Sequence, residues 1–315
     1  MMLEPPDFGF AVSVLLPVFL VVMLGLGLKA TQLVRPDQWQ AMDHVCYYVL
    51  FPAIIVRSIA TADMTGVPVA AMVAAIMLGL ATMFVLLLGF RRPLSGLLGL
   101  DGPAFSSLFQ GSTRFHTFIM FAIVPAILGV EALALAAVAT VAMIPVLNVA
   151  CVIVVSVFGS GATPGMAFIA RQLAINPFIL ACVAGLALKL LLPPLPEALV
   201  ETLDLVGRGA LGLALLTTGA GLTLNSAISA KAPVTLAVVL KLLVMPAVIG
   251  FWTWAFGIDG EPQAVAVLAA AVPTGAGGYI LARQLGGDAP LMAAILTAQV
   301  AAAAVTLPLI VAFVV

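Results

Sequence analysis

Charge is what this sequence has least of. Lys, Arg, Asp and Glu make up 8% of its 315 residues, against about 25% in soluble domains. The twelve bases and thirteen acids nearly cancel, to a net charge of -1, which leaves no basic face for nucleic acid and no acidic tail. Cysteine is also scarce: Cys46, Cys151 and Cys182 each stand alone in an apolar run, with no CxxC and no Cys/His cluster. That excludes a disulfide framework and a zinc site, and makes all three small buried hydrophobes. No GxxxxGK[ST] loop is present, so the chain carries no nucleotide-driven engine and implies no cofactor. Before the first apolar run, Met1 to Asp7 holds acids where a secretory leader needs bases, so that run is expected to remain as a membrane span.

What is there is apolar surface: 64% hydrophobic residues and a mean hydropathy of +1.28. No water-facing domain hides that much, and the bilayer is the implied solvent. A spanning helix needs about 20 apolar residues, and ten such runs follow one another. They lie near Phe8 to Leu28, Gln38 to Ala60, Val67 to Phe90, Pro103 to Leu128, Ala132 to Phe158, Ala174 to Leu192, Ala198 to Leu224, Pro233 to Phe256, Pro262 to Leu285 and Ala289 to Val315. Alternate connections carry Lys29, Arg35, Arg91, Arg92, Arg171, Lys231 and Arg283, while the opposite side has clearly only Lys189. Because bases stay on the cytoplasmic side, the expectation is a multi-pass protein of the cell membrane with both termini outside.

The polar stretch 159–173 divides the chain into 1–158 and 174–315, five spans each. An odd number enters the second half upside down, and inverted halves are a recurrent plan of secondary transporters, with the site at the midplane where interrupted helices meet. The fourth span of each half is the place to look. One contains Gln110-Gly111-Ser112-Thr113-Arg114-Phe115-His116-Thr117, too polar to face lipid; the other contains Val272-Pro273-Thr274-Gly275-Ala276-Gly277-Gly278, where proline and glycine weaken the helix.

At these residues the chain resembles the auxin efflux carrier family. The likeness covers nearly the whole chain: Tyr48-Val49-Leu50-Phe51-Pro52-Ala53, Arg114-Phe115-His116-Thr117, Asn176-Pro177-Phe178, Lys241 to Pro246, and Leu281 to Ala289. It implies an all-α membrane fold of ten transmembrane helices in two inverted five-helix repeats with crossed broken helices, similar to sodium/proton antiporters and bile acid symporters. Helices one, two, six and seven would form a scaffold that dimerises, and helices three to five and eight to ten a transport unit. The crossing would fall at Phe115-His116 and Pro273-Thr274. This sequence departs from the family at Phe115, where a proline is expected, and at His116, where asparagine is usual.

The resemblance implies a carrier of a small organic anion, auxin-like or a mono- or dicarboxylate such as malonate or malate, and not an enzyme. Arginine at a helix centre costs about 2.5–3.5 kcal/mol on insertion scales, so Arg114 has a reason to be there: a grip on a carboxylate, or a tie to helix ends. His116 can bind substrate, take a proton, or pin a broken helix. Thr117 and Thr274 are neutral ligands or bond their own helix backbone. Pro273, Gly275 and Gly277 bring a half-helix N-terminus toward an anion, or simply let helices pack closely. Asn148 lines the cavity or bridges helices, while Gln299 and Lys241 are possible supports whose partners sequence does not name. Arg57, Asp43 and Asp63 read as interfacial pairs or scaffold charges, and Trp252 and Trp254 as interfacial anchors. Within transporters the alternative is a sodium-coupled bile-acid-type symporter, which needs clustered Glu, Gln and Asn ligands. Outside them stand a non-transporting membrane sensor and an intramembrane aspartyl protease, the latter lacking a second aspartate at matching depth.

Overall fold

The computed structural model describes residues 8–161, 165–192, 194–223 and 231–314. Expectations that fall on Met1 to Asp7, residues 162–164, Leu224 and Val315 lie outside them. The chain is an all-helical membrane protein. Among the described residues seven helical stretches are long and apolar enough to cross a bilayer. These are α1 (Phe8–Ala30), α2 (Pro36–Thr61), α3 (Val69–Gly89), the pair α5 (Gly102–Thr113) and α6 (Thr117–Leu128), α7 (Leu133–Phe158, entered through a 3-10 turn at Val130–Ala132), α12 (Ala232–Ala255) and α15 (Ala289–Val314).

The other three apolar runs are built differently. One is the short α9 (Pro177–Leu191). The next is a pair, α10 (Glu197–Gly207) and α11 (Ala210–Gly221), interrupted at Arg208-Gly209. The last is α13 (Gly260–Ala271) followed by α14 (Gly277–Leu285). Two of the connections contain short helices, α4 (Arg91–Leu98) and α8 (Met166–Ala174).

Local chemistry explains the joints. In α2 and α12 a single wide π turn, Cys46–Leu50 and Leu240–Val244, is followed after one residue by Pro52 and Pro246. A proline cannot donate to the carbonyl four residues back and its ring crowds that carbonyl, so the preceding turn widens to let the helix pass. Asp101 caps α5 through the Ala104 amide at 2.8 Å, and Asn176 caps α9 through Phe178 and Ile179.

One group of contacts recurs. A Cβ on Gly25 of α1 would land on the Leu216 carbonyl of α11, and one on Gly185 of α9 would sit 2.9 Å from the Val56 carbonyl of α2. Lys29, in the last turn of α1, donates to the carbonyl of Leu222, the residue that ends α11 (2.9 Å); Lys189, in the last turn of α9, donates to that of Ala62, the residue that ends α2. One and the same sequence offset takes Gly25 to Gly185, Lys29 to Lys189, Val56 to Leu216 and Ala62 to Leu222. Each lysine places a cation on the negative end of a helix, where otherwise unpaired carbonyls collect.

The remaining helices pack around α5 and α13. From Ala104 to Thr113 every residue of α5 is buried, and so is every residue of α13 from Ala264 to Ala271. α5 lies against α7 and α15, and α13 lies against the same two helices. The polar residues of α5 therefore face protein instead of lipid, which is the condition on which a membrane tolerates them.

The α1–α11 contact leaves no space for side chains at its closest point. Gly219→Ala would drive a methyl into the Val22 carbonyl and is expected to destabilise the protein by about 1–3 kcal/mol. Gly27→Ala, two residues after Gly25 in α1 but with nothing within 4 Å of its Cβ, should stay within about 1 kcal/mol of the parent. Thermal unfolding of both variants in detergent measures the difference, and equal behaviour would refute the packing described.

Candidate functional site

Two helix interruptions meet inside the bundle. α5 ends at Thr113, and Arg114, Phe115 and His116 run in extended conformation before α6 begins. α13 ends at Ala271, and residues 272–276 lead into α14. The two touch: a Cβ on Gly275 would lie 3.0 Å from the Phe115 carbonyl oxygen and 3.6 Å from His116 Cα. Four helix ends thus converge, the C-termini of α5 and α13 and the N-termini of α6 and α14.

An interruption leaves donors and acceptors that an unbroken helix would pair with each other. In a continuous helix the Gly111 carbonyl would receive the Phe115 amide, and the Ala270 carbonyl the Thr274 amide. Here Gln299 of α15 donates from Nε2 to the Gly111 carbonyl (2.9 Å) and to the Ala237 carbonyl of α12 (2.9 Å), while its Oε1 accepts the Thr274 amide (2.8 Å). Lys241 of α12 donates from Nζ to the Ala270 carbonyl (2.6 Å), with Met245 Sδ at 3.5 Å. Gln299, Lys241 and Thr274 have no exposed surface. The glutamine and the lysine substitute for the helical hydrogen bonds that both interruptions forgo, and neither has exposed surface.

Arg114 is in a different situation. It is only partly buried, and its Nη1 donates to Asn148 Oδ1 of α7 at 3.3 Å, while its Nε is buried without a hydrogen-bond partner. Cys151, one turn beyond Asn148, meets both Thr113 and Arg114. The guanidinium lies across the first turn of α14: a Cβ on Gly277 would be 3.6 Å from Nη1, and one on Gly278 3.4 Å from Cδ. A helix N-terminus is itself a positive end with free amides. A cation is therefore set against a positive dipole end, with a neutral amide as its side-chain hydrogen-bond partner and no ion pair to any carboxylate among the described residues. Gly277 and Ala276, at this end of the crossing, are exposed.

The expected site residues sort into three groups. Arg114, Asn148 and Gly277 come together at the open end. Phe115, His116 and Gly275 form the contact between the interruptions, with the buried His116 ring 5.9 Å from that of Phe118. Thr274 lies with Gln299 on the sealed side, its hydroxyl unpaired, and Pro273 is buried beside it; Lys241 is sealed as well. Thr117, half-buried, opens α6. Two neighbours were missed by sequence reasoning. Gln110, four residues before Arg114, is fully buried with both amide atoms unpaired, and Cys151 stands three residues after Asn148. Helical spacing from an already suspected residue was the available signal for both.

Residues 166–311 match the family described as membrane transport protein. The matched region contains Lys241, the α13–α14 interruption and Gln299; Arg114 and His116 lie before it. No curated protein matches the chain.

Gln299→Leu would leave the Thr274 amide and the Gly111 and Ala237 carbonyls without their side-chain partner, at about 1–3 kcal/mol for each group left unsatisfied. A drop in thermal unfolding temperature well beyond that of Gly219→Ala is expected. Gln299→Glu, which keeps the acceptor for Thr274, should fall between the two. A leucine variant as stable as the parent would show that the glutamine does not hold the crossing.

Proposed function

We propose that this chain, which matches the membrane transport protein family over residues 166–311 and resembles the auxin efflux carriers, is a secondary transporter of a small organic anion. The observation that carries the reading is Arg114 lying on the N-terminus of α14 with no ion pair to a carboxylate among the described residues. Two positive features facing one reachable space call for a negative guest, and a carboxylate accepts both guanidinium and amide hydrogens. Asn148, which already accepts from the guanidinium, would orient the guest, with His116 and Thr117 following Arg114 in the chain as further candidates. Gln299 and Lys241 would act as the frame that holds both helix interruptions open.

The charge count narrows the guest. Arg114 is the cation at the open end, because Lys241 is sealed and already donates to the Ala270 carbonyl. A monocarboxylate with an uncharged body is then favoured over a dicarboxylate, whose second charge would have no partner.

The architecture we propose is ten membrane helices in two inverted repeats, residues 1–158 and 174–315 joined by 159–173. The α1–α11 and α2–α9 contacts support it, because exchanging the halves by one offset maps each onto the other, lysine onto lysine and acceptor onto acceptor. α1, α2, α9 and the α10–α11 pair would form a dimerising scaffold, and the other spanning helices the transport unit that moves against it by alternating access. Both termini would lie outside the cell membrane. Lys189, the base that departs from the expected charge asymmetry, then has a structural duty at the end of α2, so it does not weigh against that orientation.

In proteoliposomes, Arg114→Ala should abolish uptake of a monocarboxylate such as indole-acetate while the protein keeps its unfolding temperature in detergent. Arg114→Lys, which keeps the charge and loses the two-pronged geometry, should weaken binding about tenfold or more. Unchanged uptake by the alanine variant, or tighter binding of malonate than of its monoester, would overturn the respective assignment.

A further inference from the structure

A polar cavity lies away from the crossing. It encloses about 380 Å³ between the end of α2 and the two turns that lead into α7 and α13. The α2 wall carries Arg57, Ser58 and Asp63; the facing wall carries Glu131 and Glu261.

Pairing the charges leaves a remainder. Arg57 Nε lies 2.9 Å from Asp204 Oδ1 of α10, so that guanidinium is already matched. Asp63 faces Lys189, whose ammonium bonds the adjacent Ala62 carbonyl. Glu131 and Glu261 have no ion-pair partner among the described residues. Burial, and then the neighbouring Glu131 charge, push the Glu261 carboxyl above its usual range, as two facing carboxylates require. The α2 wall adds an independent sign of a missing partner: Ser58 is 5% exposed, and its buried Oγ has no hydrogen-bond partner. Among the described residues no three acids, histidines or cysteines gather closely enough for a metal ion. The cavity therefore combines two uncompensated negative charges on one wall with a free acceptor on the other.

We propose that this cavity binds a short linear diammonium compound. One ammonium would donate to Glu131 and Glu261, and the other to the Ser58 hydroxyl and the Asp63 carboxylate. Two positive charges bring the whole set, with Arg57–Asp204 and Asp63–Lys189, to neutrality. A single metal ion would not serve carboxyl and hydroxyl groups on opposite walls, and a carboxylate is repelled. The guest joins α2 to the turns before α7 and α13. If those parts move against each other, which rests on the carrier reading above, its binding holds them together and slows exchange.

The test uses the purified full chain in detergent at neutral pH with 1,4-diaminobutane, butylamine and magnesium chloride, followed by thermal unfolding and calorimetric titration. A saturable rise in unfolding temperature with the diamine is expected, with butylamine and the double variant Glu131→Gln/Glu261→Gln each binding about tenfold more weakly or worse. Ser58→Ala should weaken the diamine by a smaller factor without altering the unfolding temperature of the free protein. The proposal is overturned by the absence of a saturable effect, by an equal effect in the double variant, or by magnesium matching the diamine, which would mean surface screening. A monocarboxylate probe on the parent chain separates the two readings: no carboxylate binding with diamine binding intact counts against the carrier site alone, and carboxylate binding retained in the double variant with diamine binding lost leaves both standing.

Discussion

A helix that stops inside a membrane protein exposes amides and carbonyls where water cannot reach them, and every such group needs a partner. The centre of this molecule is arranged around that requirement. Gln299 answers it for α5 and α13 together, with one donor group and one acceptor, and Lys241 answers it for the last turn of α13. With these two side chains in place the interruptions can persist side by side, Gly275 against the Phe115 carbonyl. Their persistence is what brings the N-terminus of α14 under the Arg114 guanidinium.

The crossing therefore has two faces of opposite electrical character. On the sealed face an ammonium meets the carbonyl end of α13, cation against negative dipole, and the account is closed by the chain itself. On the open face a guanidinium meets the amino end of α14, cation against positive dipole. The same contrast separates a group that holds the fold from one that is left asking for a ligand, although both are bases within apolar spans and neither is distinguishable from the other by composition.

Much of the helical outline was legible because an apolar run long enough for a bilayer is recognised by length and composition alone. The α13–α14 interruption was legible too, since proline and three glycines announce it. The α5–α6 interruption could be suspected only from its polarity: no proline marks it, and what takes the Gly111 carbonyl from the helix lies in α15, far along the chain. The short helices α4 and α8 escaped notice, because eight or nine residues beside arginine read as connection. The interruption at Arg208-Gly209 is marked in the sequence only by a charge and a glycine within an apolar run. Of the site residues, Arg114 and Asn148 could be named but not paired, and Lys241 was known to need an acceptor whose identity only the packing of α12 on α13 supplies. Partners across helices are fixed by tertiary geometry, which no local pattern encodes.

Gln299 holds one further consequence. Its amide is bonded at once to the backbone of α5, of α12 and of the stretch that follows α13, while its own backbone belongs to α15. Neither interruption can be displaced, then, without drawing the other three helices with it. On the carrier reading, the smallest piece of this protein that can travel is set by the reach of a single side chain.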